Sequence, residues 1–114
     1  MKRDIVHLEH IRDCIDAIQE YTQPGKEFFL KDRKTQKATL RELQELAEST
    51  QRLSLQLKEK SPDTPWYAIA GFRNILVHDY LGINMLQIRD IVDIDVPNLK
   101  SAINNLISES GFVE

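Results

Sequence analysis

Residues 5–18 read IVHLEHIRDCIDAI, and the recurrence of their apolar members decides the fold. Ile11, Cys14, Ile15 and Ile18 stand at i, i+3, i+4 and i+7, and Leu8 and Ile5 carry the stripe backwards. A stripe of that period covers one face of a helix and needs another element to cover it. Asp4 is the expected N-cap of this first helix, and Pro24-Gly25 ends it. Lys26–Leu30, with Phe28 and Phe29, adds a turn or two. A long helix is then expected through Leu40, Leu43, Leu46, Ala47, Leu53 and Leu57, closing near Ser61-Pro62. Thr64-Pro65 reads as N-cap followed by proline at the first helical position. The helix it opens runs to about Leu81 and stops at Gly82. A last helix uses Leu86, Ile91, Leu99, Ile103 and Leu106, with Gly111 as its C-terminal cap. Pro97 removes a backbone donor inside that helix, so a kink is expected there.

No segment alternates with period two over strand length, and no internal repeat or linker divides the chain. The expected fold is all-α, an up-and-down bundle of four to five helices forming a single domain over residues 1–114. Leu, Ile, Val and Phe supply 34 of the 114 residues, enough for a packed core and against wholesale disorder. No charge-free stretch exceeds the nine residues of Thr64–Phe72, short of the ~20 a membrane-spanning helix needs. Met1-Lys2-Arg3-Asp4 lacks the apolar run of a signal peptide, and one cysteine cannot form an internal disulfide. A cytoplasmic location is therefore expected. Net charge is −3, so a nucleic-acid partner must be gripped locally rather than by the field of the whole chain.

The helix from Thr64 to Leu81 departs from the amphipathic pattern. It is apolar almost all round, the pattern of a central helix, yet it carries Arg73, Asn74 and His78. Arg73 and Tyr80 project within the arc of Trp66, Ile69 and Val77, and Asn74 and His78 sit one turn apart on its flank. Burying an unpaired guanidinium costs several kcal/mol. Arg73 must therefore pair with a carboxylate such as Glu48 or open onto a cleft, and His78 is either a satisfied core histidine or part of that cleft.

Elsewhere the chemistry is thin. His7 and His10 with Glu9 could supply metal ligands, but no further ligand stands at a recognisable spacing, so surface histidines and no metal site are expected. Cys14 belongs to the core stripe. The four glycines are isolated and make no phosphate loop. Lys31, Arg33, Lys34, Lys37 and Arg41, opposed only by Asp32, either track a phosphate backbone or form a solvated helix start.

Ala70-Gly71-Phe72-Arg73-Asn74-Ile75-Leu76-Val77-His78-Asp79-Tyr80 resembles the signature of HepT-type toxins, helical ribonucleases of the HEPN superfamily. The pattern is Arg-Asn, three residues, His, one residue, Tyr. The likeness extends to Arg3-Asp4, Thr35-Gln36, Arg52-Leu53-Ser54, Pro65-Trp66 and a turn at Asp95–Lys100. It departs at Leu40-Arg41-Glu42-Leu43, where relatives more often carry Arg-Asn, and at Ala47, where a glycine usually precedes the glutamate.

The resemblance implies RNA cleavage without metal or cofactor. The RNA's own 2′-hydroxyl attacks the adjacent phosphorus, which needs proton transfer and positive charge on the developing phosphorane. Imidazole titrates near ~6.5 and suits the first task; a guanidinium fork suits the second. Arg73 is therefore assigned to phosphate stabilisation, His78 to proton transfer and Asn74 to orientation. Arg73 and His78 point ~140° apart on an ideal helix, so a homodimer pairing two such helices is expected to complete the cleft. In the similar systems a small nucleotidyltransferase antitoxin transfers AMP to a tyrosine, which places Tyr80 as the acceptor. The alternative is a non-catalytic HEPN module that dimerises and docks the nucleotidyltransferase.

Overall fold

The computed structural model describes residues 2–109. The elements are α1 (Lys2–Tyr21), α2 (Lys26–Lys31), α3 (Arg33–Gln51), α4 (Leu55–Glu59), α5 (Trp66–His78), α6 (Met85–Asp90) and α7 (Val96–Glu109). A 3₁₀ turn at Tyr80–Gly82 and a π-helical turn at Ile91–Asp95 fall between them. Among the described residues there is no strand, and the fold is the expected all-α bundle.

The apolar stripe of α1 works as its period predicts. Leu8, Ile11, Cys14, Ile15 and Ile18 are fully buried, against Leu40, Leu43 and Leu46 of α3 and Leu99, Ile103 and Leu106 of α7 in one core. α1 packs most extensively on α3, and next on α7, while α5 packs on the other flank of α3. The neighbours run antiparallel: Asp4 at the start of α1 meets Ser54 just beyond α3, and Lys100 early in α7 reaches Gln19 and Asp16 late in α1.

Several boundaries differ from expectation, each for a local reason. Asp4 lies inside α1 and does not cap it; its carboxylate accepts from Ser54 N at 2.9 Å and Ser54 Oγ at 2.7 Å. The long helix expected to reach Ser61 breaks after Gln51, where Ser54 takes an extended conformation and its Oγ accepts from Leu57 N to start α4. Thr64 does not cap α5 either; its hydroxyl bonds with that of Ser61, and the helix starts one residue after Pro65. Asp32 caps α3, accepting from the backbone and hydroxyl of Thr35, and those bonds hold its carboxyl below the usual range. Gly25, at φ 111, makes the turn into α2 that a side chain would strain.

Pro97 produces the expected irregularity one turn early. Its ring cannot tolerate a normal α-turn carbonyl behind it, and the chain widens to a π-turn in which Val96 N bonds Ile91 O. The extra residue rotates the preceding face, so Ile88 and Val92 reach the core while Leu86, expected there, is exposed. The Asp95–Lys100 segment, taken as a turn, is helical throughout. The Gly111 cap lies outside the described residues. No helix among them is long and apolar enough to cross a membrane.

Candidate functional site

α5 is not central. It lies at the edge of the bundle, and Leu76 alone of its residues is buried. Trp66, Ile69 and Phe72 rest partly on the core, while Tyr67 is 94% exposed and Ile75 50%. An apolar surround arises in a helix with protein on every side, but equally in one whose outer face awaits a partner. Beside α5 runs a groove of about 710 Å³, walled by Ala68, Ile69 and Phe72 and by Val96, Leu99 and Ala102 of α7.

The pairing of Arg73 with Glu48 does not form. Glu48 accepts from Gln44, and no carboxylate among the described residues pairs with Arg73. Arg73 Nη1 donates to Asn74 Oδ1 at 3.3 Å, while Arg73 Nε is buried with no hydrogen-bond partner. An orphaned donor on a charged group is costly, and few are tolerated in folded chains. His78 closes α5 and is exposed, with no side-chain hydrogen bond among the described residues. It is not a core histidine. The structure thus joins Arg73 to Asn74 and leaves His78 open at the helix end, and among the described residues no hydrogen bond bridges them.

Tyr80 does not continue the Arg73 face. The helix ends at His78, Asp79 turns the backbone to φ −130 and ψ 45, and Tyr80 opens the 3₁₀ turn. The ring, 45% exposed, lines a hollow of about 170 Å³ with Leu76 and with Lys37, Leu40, Arg41 and Gln44 of α3. Its neighbouring cations are therefore Lys37 and Arg41 rather than Arg73. Periodicity alone cannot show this, because the break at Asp79 has no glycine or proline to announce it.

Of the suspected metal ligands, His7 and His10 do not act together; His7 faces Asp4, while His10 faces α3. The donors that converge are His10, Cys14 and Glu45, within 4.8 Å of one another. The sequence contains their signal, an i, i+4 pair on α1, but Glu45 joins it only once α3 is docked.

An all-helical bundle with an arginine, an asparagine and a histidine on an outward-facing helix defines the class of chain to which this one belongs. The family model described as "Ribonuclease HepT-like" matches residues 11–106, and the chain belongs to the HepT-like ribonuclease family. It is 39% identical over 102 residues to a Methanocaldococcus jannaschii protein named "Putative RNase", covering 90% of this chain and 82% of that one. It is 34% identical over 101 residues to the "Probable ribonuclease HepT" of Thermococcus cleftensis, covering 88% and 92%. It also matches, at 31% identity, half of a longer M. jannaschii protein named for a gamma-glutamylcyclotransferase and an RNase. No solved structure matches.

Proposed function

We propose that the protein is an endoribonuclease toxin acting as a homodimer. The observation that carries this reading is the exposed end of α5, where Arg73 Nη1 donates to Asn74 Oδ1 with no carboxylate paired to the guanidinium, and His78 stands open. Two such helices packed across a two-fold axis bring two arginines and two histidines to one cleft. RNA is cut there without metal. The 2′-oxygen attacks phosphorus, its proton passes to a His78 imidazole, and a protonated partner donates to the departing 5′-oxygen. Arg73, positioned with Asn74, stabilises the charge on the phosphorane. The products carry a 2′,3′-cyclic phosphate and a 5′-hydroxyl.

Control acts at Tyr80. A cognate nucleotidyltransferase antitoxin presents ATP, the tyrosine oxygen attacks its α-phosphorus, and pyrophosphate leaves. The AMP phosphate lands beside Lys37 and Arg41 and removes cations otherwise open to the RNA backbone. The exposed apolar surface of α5 favours a second reading, a module that dimerises and docks the nucleotidyltransferase without catalysis.

Cleavage assays separate the two. Arg73→Ala and His78→Ala should each lower RNA cleavage by ~10²–10³-fold while the chain stays folded. Activity should persist in EDTA. Full activity in His78→Ala, or a strict need for Mg²⁺, overturns the mechanism; a wild-type chain that arrests no growth and cuts no RNA supports the module.

A further inference from the structure

We propose that His10, Cys14 and Glu45 form a Zn²⁺ site at the seam between α1 and α3. His10 Nε2 lies 3.7 Å from Cys14 Sγ and 3.6 Å from Glu45 Oε1. Tetrahedral zinc with Zn–S ~2.3 Å and Zn–N or Zn–O ~2.0–2.1 Å has donor-to-donor edges of ~3.3–3.6 Å. Both measured edges are within a few tenths of an ångström of these values. Two of the three edges are thus already spaced for the ion, and the third, from the thiol to Glu45, lies within 4.8 Å and closes by rotation of the half-exposed Glu45 side chain.

The surroundings orient each ligand. His10 Nδ1 is 2.7 Å from Ser49 Oγ, and donation of the Nδ1 hydrogen to that oxygen leaves the Nε2 lone pair facing the thiol and the carboxylate. Arg41 Nε donates to Glu45 Oε2 at 3.0 Å, which turns Oε1 toward His10. Cys14 is 1% exposed, while the His10 and Glu45 side chains are 45% and 35% exposed, so the ion has an entry route and a dry sulfur beneath it. A water takes the fourth position, on the exposed side between His10 and Glu45.

Mixed sulfur, nitrogen and oxygen donors select zinc over the harder Mg²⁺ or Ca²⁺. Burial, with the charges of Glu42, Glu45 and Asp13, pushes the Cys14 thiol up to about 12. Zinc takes cysteine as the thiolate, so binding replaces the S–H bond by S–Zn with one proton released to solvent. None of the three ligands lies on α5, so a chelator leaves Arg73 and His78 untouched, while Arg41, bonded to Glu45, also borders the Tyr80 hollow.

The test uses the full chain, titrated with Co²⁺ and then with Zn²⁺ against a coloured chelator. The expected result is one metal per chain, a thiolate-to-cobalt charge-transfer band, and loss of that band in Cys14→Ser. Ser49→Ala, which removes only the orienting hydroxyl, should weaken zinc by ~10–100-fold. Glu45→Gln, at a half-exposed position, keeps the fold and should weaken zinc too, whereas His7→Ala should not. Absence of the charge-transfer band overturns the proposal. So does equal zinc affinity in wild type and Glu45→Gln, or loss of binding in His7→Ala, which moves the site elsewhere.

Discussion

Along the seam of α1 and α3, Asp4 meets Ser54 through two bonds and His10 meets Ser49 and Glu45, although Thr39 Oγ1 of α3 is buried without a partner. Around α5 the reverse holds. Arg73 Nε is buried without a partner, while Tyr67 and Ile75 stand in solvent. Burying one large apolar side chain stabilises by ~1.5–3 kcal/mol, and an unpaired buried donor costs ~1–3 kcal/mol. The seam meets most of those terms within one chain; α5 leaves its apolar side chains in solvent and one donor unpaired.

The largest effect that separates the flanks comes from truncating the core. Leu43→Ala should cost ~2–5 kcal/mol in denaturant unfolding, because Leu43 is 2% exposed between the helices and leaves a cavity. Ile75→Glu, at a half-exposed position, should leave the unfolding of the isolated chain within ~0.5 kcal/mol. It should nonetheless convert a species of about twice 13.2 kDa into one of 13.2 kDa in sedimentation, and remove cleavage with it. A wild-type chain that sediments as a monomer while cutting RNA breaks the comparison.

A smaller effect tests the satisfied flank by pH. Burial alone would raise the Asp4 carboxyl, but the two bonds from Ser54, with His7 nearby, hold it below its usual range. The folded state therefore favours the charged form. Its contribution is fully present above the carboxylate's ordinary titration and is lost as pH falls through the lowered value. Asp4→Ala should cost ~1–3 kcal/mol near neutrality. The wild type should then lose stability more steeply on acidification than the variant, and parallel acid limbs would remove Asp4 from this role.

The stripe of α1 was legible because a 3.6-residue period has one physical meaning when it is sharp: Leu8 through Ile18 are buried as read. The identities of Arg73, Asn74, His78 and Tyr80 were legible as a spacing. Their placement was less so. An apolar surround does not distinguish a central helix from an edge helix awaiting its twin, so α5 was misplaced. The break at Asp79 and the π-turn ahead of Pro97 come from tertiary packing and one-residue register shifts, which no local propensity encodes. The cluster of His10, Cys14 and Glu45 escaped the sequence reading, which grouped His10 with His7 and gave Cys14 to the core, because Glu45 arrives only by docking of α3.

The smallest effect on the fold should come from Tyr80→Phe, and it sharpens the comparison most. The ring is 45% exposed over a shallow hollow, so losing its hydroxyl should shift stability by less than ~0.5 kcal/mol and leave most cleavage intact. Only the hydroxyl can accept a nucleotide, however. Incubation with the cognate nucleotidyltransferase, ATP and Mg²⁺ should add mass in AMP units to the wild type, mapped to Tyr80, and none to Tyr80→Phe. Because the hollow is walled by Lys37 and Arg41, Lys37→Ala with Arg41→Ala should weaken RNA binding in the unmodified protein. In that background AMP transfer should weaken binding little further, since the cations it covers are already gone. If modification inhibits the double variant as strongly as the wild type, the nucleotide acts on the α5 cleft instead, and the flank of α3 carries no part of the control.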